Sequence, residues 1–442
     1  MNRRHAPRAL RAWPALLAAL LLAAPAAAQE RPQAFTGARI LPIAGAPIDN
    51  GVLVVQRGRI TAVGPAGQVR VPGDAQVHDA TGKVIMPGLV DTHSHIGGGD
   101  GGDRSSPMHP SVRILDALDA RDDGIQRAQA GGITTANVMP GSGHLMSGQT
   151  AYIKLRDAGT IDELLYCENP LTDICGGMKM ANGTNPRGEP PFPGTRAKAA
   201  AIVRERYVKA QEYRAKLRTA GDDVAKRPAR DLELEGLVEV LDGRRVVHHH
   251  THRHDDILTA LRLAEEFGFR LVLQHVSEAW KVADQIAAAG VPASIIVLDA
   301  PGGKLEAMEI SNQNGAALER AGALVGFHTD DYITDSRLFL RSAALAVRTG
   351  MSRDAALYAM TLAGARMLDL EERVGSLETG KDADFILLSG DPLSTFTRVE
   401  QTWVLGEKVF DFTDPEDHRY AVGGWNAGSD RSTGHHAGME GH

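Results

Sequence analysis

A chain of 442 residues, 43% of them apolar and 23% charged, is too long for one small domain and too rich in core-forming residues to be disordered. The length fits one large enzyme domain with an accessory module. A formal net charge of −7 gives no electrostatic footprint for nucleic acid, and no internal apolar run reaches the roughly 18 residues that would predict a membrane span.

The first 28 residues read as a signal peptide. Arg3, Arg4, Arg8 and Arg11 form a basic stretch, residues 14–24 an apolar one, and Ala26, Ala27 and Ala28 a small-residue cleavage site. The protein is therefore expected to be exported, to a periplasm, and to be free of membrane once cleaved. Cys167 and Cys175 lie eight residues apart in a loop-like stretch, and an oxidising compartment favours a disulfide between them over two free thiols. Two cysteines alone cannot close a zinc site.

Residues 36–41, 52–56, 59–63 and 77–79 are short β-branched runs cut by turns carrying Gly and Pro. The pattern returns at 383–388, 399–405 and 408–412. Neither group has enough strands for a sandwich, so 29–87 and 372–412 are expected to pair across the chain as a small β-sandwich. Between them, residues 88–371 alternate strand and helix. Strands are predicted at 88–91, 134–139, 149–154, 178–180, 245–250, 270–275, 293–297 and 323–328, with helices such as 256–267, where Ile257, Leu261, Ala264 and Phe267 share a face. Eight such units predict an α/β protein, a distorted (β/α)8 TIM barrel. A doubly wound sheet is the alternative, but no Gly-x-Gly-x-x-Gly opens the first helix, so dinucleotide binding has no support. The charged helical stretch near 195–242 reads as an insertion over the barrel's mouth or side, or equally as a lengthened crossover. Residues 413–442, ending in Gly, His and Ser, read as a flexible tail.

The strongest chemical signal is Asp91-Thr92-His93-Ser94-His95, closing an apolar run. Histidines at i and i+2 of a strand share a face, and at the C-terminal end of a barrel strand that face is the mouth, where active sites sit. Two imidazoles converging there point to a divalent metal.

The run from Val84 to His95 resembles the first-strand signature of the amidohydrolase superfamily of metal-dependent hydrolases. Residues 380–388 (Gly-Lys-Asp-Ala-Asp-Phe-Ile-Leu-Leu) resemble the stretch where such chains return to the small sandwich. The resemblance covers nearly all of the chain beyond the signal peptide, to about Asp411, and is greatest to the branch with imidazolonepropionase and metal-dependent prolidases. It implies one or two divalent ions, zinc above all, and hydrolysis of a carbon–nitrogen bond by a metal-bound hydroxide.

It also implies where further ligands stand. A strand-five histidine falls within His248, His249, His250, His252 and His254, and the helix starting at Asp255-Asp256-Ile257 favours His250, with His252 either supporting the ligands from behind or beside substrate. Strand six ends on His275. Strand eight ends Phe327-His328-Thr329-Asp330-Asp331, where Asp330, with Asp331 as its rival, is the expected ligand and the catalytic acid–base. A carboxylated lysine bridging two metals would be Lys179, where the flanking Met178 and Met180 are expected to desolvate the amine and favour the neutral form that reacts with carbon dioxide. Lys154 as the carbamate and a site without a bridge are the alternatives. His144, in a Gly-rich loop after strand two, reads either as a substrate contact or as part of a simple turn.

The function expected is cleavage of an amide, peptide or cyclic amide, most readily in dipeptides or N-acyl amino acids. Export argues against imidazolonepropionase itself, since histidine breakdown is intracellular, though a cyclic amidase of that type stays open. The reading from another class is an exported, histidine-rich metal-binding protein without turnover, motivated by 248–254 and by His435, His436 and His442. It leaves unexplained why the ligands fall at strand ends. Partners are a small molecule or short peptide, with a homo-oligomer left open.

Overall fold

The computed structural model describes residues 31–99, 102–296 and 304–424. The expected signal peptide lies outside the described residues. In chain order the strands are β1 (Gln33–Ile40), β2 (Ile48–Gln56), β3 (Arg59–Pro65), β4 (Gln76–Asp79), β5 (Val84–Pro87), β6 (Leu89–Ser94), β7 (Ile133–Val138), β8 (Met146–Gln149), β9 (Ala151–Lys154), β10 (Met178–Ala181), β11 (Val247–Thr251), β12 (Leu271–His275), β13 (Ala293–Ile295), β14 (Val325–Phe327), β15 (Phe385–Leu388), β16 (Val399–Val404) and β17 (Glu407–Asp411).

Both ends of the chain meet in one eight-stranded sheet, ordered β17-β16-β15-β5-β1-β2-β3 with β4 on β1. The junction is β5 against β15, antiparallel, with Val84 opposite Leu388 and Pro87 opposite Phe385. Alternate residues point to one side, and there Phe35, Phe385 and Trp403 pack ring on ring, Phe35 lying 4.9 Å from Phe385 and 5.0 Å from Trp403.

The middle of the chain is mixed α/β. Strands β10 to β14 run parallel in sequence order, with β8 antiparallel on the β10 edge; β6, β7 and β9 form a three-stranded arc in which β9 is antiparallel to β7. The expected single strand at 149–154 is instead two, broken at Thr150 and serving both arcs. The wholly parallel sequence of eight strands is corrected there, because the short loop 139–145 after β7 reverses the chain, so that β8 and β9, interrupted only at Thr150, run antiparallel to β10 and β7, with only the one-turn helix Ile161–Leu164 before β10. The arcs adjoin where β6 meets β14: Asp330 N–H donates to the His93 carbonyl at 2.9 Å, and Thr92 Oγ1 to the Phe327 carbonyl at 3.3 Å.

Helices cover the outward faces. In His254–Phe267, Ile257, Ala260, Leu263, Ala264 and Phe267 are buried, following the 3.6-residue period read from the sequence. The stretch near 195–242 is a helix pair, Arg196–Ala220 and Leu232–Leu241, laid along the flank. Its Tyr207 is fully buried and stacks on Phe267 and Phe269 at 5.0 and 5.2 Å. Cys167 and Cys175 form the disulfide, with S–S 2.04 Å. The tail expected from residue 413 begins instead with the helix Pro415–Val422, capped by Asp414 and held by buried Tyr420. The C-terminal histidines lie outside the described residues.

Candidate metal centre

Strand ends bring the predicted side chains together. His93, on β6, and His95, just past it, turn their Nε2 atoms toward each other at 3.3 Å, and Asp330 Oδ1 stands 3.3 Å from the first and 3.0 Å from the second. His95 Nδ1 lies 2.8 Å from the Met139 carbonyl, which can only accept, so a proton sits on Nδ1 and Nε2 is the atom left to serve as a ligand at the centre. Two imidazole nitrogens and a carboxylate oxygen crowded this closely repel unless a cation lies among them, so the donor set fits a divalent metal.

The backbone is forced at two of these positions. His275 has φ of 69°, Val276 of 41° and Asp330 of 50°, a left-handed conformation that costs a residue with Cβ roughly 1–2 kcal/mol. It turns the chain sharply as each strand ends. The Asp330 N–H bond to His93 holds one of these turns across the join between the arcs.

His275 Nδ1 pairs with His328 Nε2 at 3.0 Å and lies 3.8 Å from Asp330 Oδ2, while its Nε2 is buried without a hydrogen-bond partner among the described residues. Its ring centre is 4.8 Å from that of His93 and 4.5 Å from that of His250. His250 thus stands within the cluster. His248, one pleat deeper, is taken by Tyr152 Oη at 2.9 Å and Gln274 at 3.2 Å. His249 lies on the other side of the strand, and His252 Nδ1 is held by Ser277 Oγ at 2.6 Å.

Lys179 is fully buried, with Nζ 3.1 Å from His93 Nε2 and 3.1 Å from Met139 Sδ. Burial pushes its ammonium down to about 7, against the opposing pull of Asp330. Its neighbours Met178 and Met180 are not the cause, for alternation turns them to the opposite side, where Met180 meets Tyr207. The rival Lys154 is otherwise engaged: its Nζ is 2.7 Å from Asp382 and 2.6 Å from Asp384, on the eight-stranded-sheet side. Asp331, the rival of Asp330, turns away to accept from Ser336 Oγ, and burial raises its carboxyl to about 6. His144 is buried, packed against His109 and Phe192 at 5.5 and 5.4 Å between ring centres.

Two residues of the cluster were not singled out from sequence. His328 was in view, one residue past β14 and two before Asp330, and it ties Ser294 Oγ, at 2.8 Å, to His275. Glu306 carried no signal. It arrives on the connection after β13, buried, with Oε1 3.6 Å from His250 Nε2.

Comparison with known proteins agrees with this geometry. The amidohydrolase family model matches residues 248–409. A solved amidohydrolase from Thermotoga maritima MSB8 is 34% identical and superposes with a TM-score of 0.80, the match covering 86% of this chain and 99% of that one. The chain belongs to the amidohydrolase family. Among curated amidohydrolase relatives, tasK of Hapsidospora irregularis is 28% identical over 394 residues, 82% of this chain, which spans only 40% of that longer protein. An imidazolonepropionase of Sphingopyxis alaskensis is 26% identical, the match covering 83% of this chain and 94% of its own.

Proposed function

We propose that this amidohydrolase is a metal-dependent hydrolase of carbon–nitrogen bonds, acting on dipeptides or N-acyl amino acids after export to a periplasm. The observation that carries the reading is the convergence of His93, His95 and Asp330, with Lys179, His275 and His250 beside them, at the ends of strands from both arcs. Together the arcs read as a distorted (β/α)8 barrel, with the eight-stranded sheet as the small accessory sandwich. His93, His95 and Asp330 hold a divalent ion, zinc by donor type, with Lys179 and His275 completing the set and His250 next in line.

When bound, such an ion lowers the pKa of water from 15.7 to about 7 and polarises a carbonyl. The chain supplies the proton transfers. Asp330 accepts the proton of the attacking water through the carboxylate and then hands it to the departing nitrogen. His95 cannot compete for that proton path through Nδ1, which Met139 occupies. Lys179, held near neutrality by burial, is the amine able to react with carbon dioxide and so to offer a carbamate toward His93.

The test is turnover of the reconstituted protein on dipeptides, N-acyl amino acids and cyclic amides. Chelation should abolish activity, and Asp330→Asn should lower kcat by about 10²–10⁴-fold, the usual worth of a general base, while Asp331→Asn keeps it within a few-fold. Activity that survives verified metal removal would sink the reading, as would loss with Asp331→Asn and none with Asp330→Asn.

A further inference from the structure

The loops after β7, β10 and β13 meet over the strand ends and hold a lysine between them. Asn185, after β10, donates through Nδ2 to Ser142 Oγ, after β7, at 2.7 Å, and its Oδ1 accepts from Lys304 Nζ, after β13, at 3.3 Å. Glu306 stands beneath the ammonium, with Oε1 3.5 Å from Nζ. That carboxylate is fixed: its Oε2 accepts the Thr184 N–H, and Gly183, at φ of 80°, presses so close that any Cβ there would run into the same oxygen. Oε1 also lies 3.6 Å from His250 Nε2, and the His250 ring is 4.5 Å from that of His275, which is 4.8 Å from that of His93. The ammonium therefore hangs over the histidine cluster, beyond His250 as seen from His93.

This ammonium is placed but not saturated. Charge-assisted N–H···O bonds run about 2.7–2.9 Å, and both contacts of Nζ are longer. An ammonium offers three donors, and Asn185 and Glu306 are its partners among the described residues. The Lys304 side chain is 43% exposed where that of Glu306 is 1%, so an anion coming in between the loops meets the cation before the carboxylate that positions it. A cation steered from below and open from above is suited to recognise an acid.

We propose that Lys304 receives a carboxylate carried by the leaving amine, so that the substrates are amino acids acylated on nitrogen, dipeptides included, and amides without that carboxylate are poor ones. With the scissile carbonyl at His93 and Asp330, the amine side of the substrate runs past His275 and His250 toward Nζ. The new ion pair then helps to hold the nitrogen where Asp330 hands over its proton. The proposal rests on the preceding reading for the reaction alone.

Alanyl-leucine and N-acetyl-leucine are compared with their C-terminal carboxamides on the metal-loaded protein, following release of leucine or leucinamide. The wild type should favour each acid in kcat/KM by about 10–100-fold, the worth of one hydrogen bond to a charged group. Lys304→Met should remove that preference, chiefly through KM of the acids, while the carboxamides keep their wild-type values, and Lys304→Arg should retain most of it. Equal kcat/KM for acid and carboxamide in the wild type, or an equal loss for both in Lys304→Met, would overturn the proposal and leave the hydrolase standing. If none of the four compounds is cleaved, their binding is titrated calorimetrically. Tighter binding of the acids that vanishes in Lys304→Met would uphold the carboxylate site and count against the hydrolytic reading instead. Binding without preference, or no binding, would overturn the proposal.

Discussion

Replacing Lys154 with methionine keeps the length and removes the charge from a buried cluster. Its Nζ bridges Asp382 at 2.7 Å and Asp384 at 2.6 Å, with the two carboxylates 0% and 2% exposed. Asp382 keeps Arg373, at 2.9 Å, and Arg59, at 2.5 Å. Among the described residues, the Asp384 side chain keeps only the Leu405 N–H, at 2.8 Å, and is left there as a buried anion without a cation. Breaking a buried pair in this way costs about 3–5 kcal/mol, which at roughly 2 °C per kcal/mol for a large domain lowers Tm by about 6–10 °C. Adding Asp384→Asn to Lys154→Met should restore most of the loss, a coupling visible in a double-mutant cycle by thermal or urea unfolding. The pH dependence has a definite sign. Burial already raises the Asp384 carboxyl above its ordinary range despite Lys154, and without Lys154 it rises further. The folded variant then binds a proton that the unfolded chain lacks, so its deficit shrinks as pH falls from 8 toward 5. A Tm within 2 °C of wild type, a deficit that grows on acidification, or additive effects of the two substitutions would refute the reasoning. Metal content should stay at the wild-type level, since this lysine lies on the sheet side and not among the histidines.

His328→Phe removes the ring that holds His275 Nδ1 and should weaken metal affinity by about 10–100-fold, as loss of a ligand's supporting partner does; competition with a chromophoric chelator measures it, and an unchanged affinity would remove His328 from the centre. Protein exchanged into ¹³C-bicarbonate should show a carbamate carbon resonance that Lys179→Ala lacks; the same spectrum from both proteins would leave Lys179 a free amine.

Much of this was legible because strand chemistry is local. The period-two pair His93 and His95, the apolar run ending on His275 and the step Thr329-Asp330 each announce a side chain at a strand end. The strand-five cluster was harder: five histidines in seven positions satisfy any pattern, and only tertiary partners (Tyr152 and Gln274 for His248, Ser277 for His252) sort them. The break at Thr150 was hidden because Gln149 to Lys154 has uniform strand character, and which neighbour each half pairs with is decided far along the chain. The desolvation of Lys179 was anticipated for the wrong reason, its flanking methionines, where the cause is the interior side of β10. Glu306 could not be read at all. A glutamate in a loop looks solvated until Gly183 and Thr184, from another loop, close over it.

The pairing of β5 with β15 also sets an order of events in the life of the chain. Everything that positions His93 follows directly from β5, yet β5 has no partner on one edge until residues 385–388 exist. A ribosome must finish nearly the whole polypeptide before that edge is covered, so the nascent chain carries an open strand throughout synthesis, an invitation to mispair. A chain exported unfolded escapes this interval, because both ends reach the far side before either has to fold. The same topology makes the C-terminal strands indispensable: a product stopping short of β15 would bear every histidine of the centre and still lack the strand that completes the sheet at the base of β6.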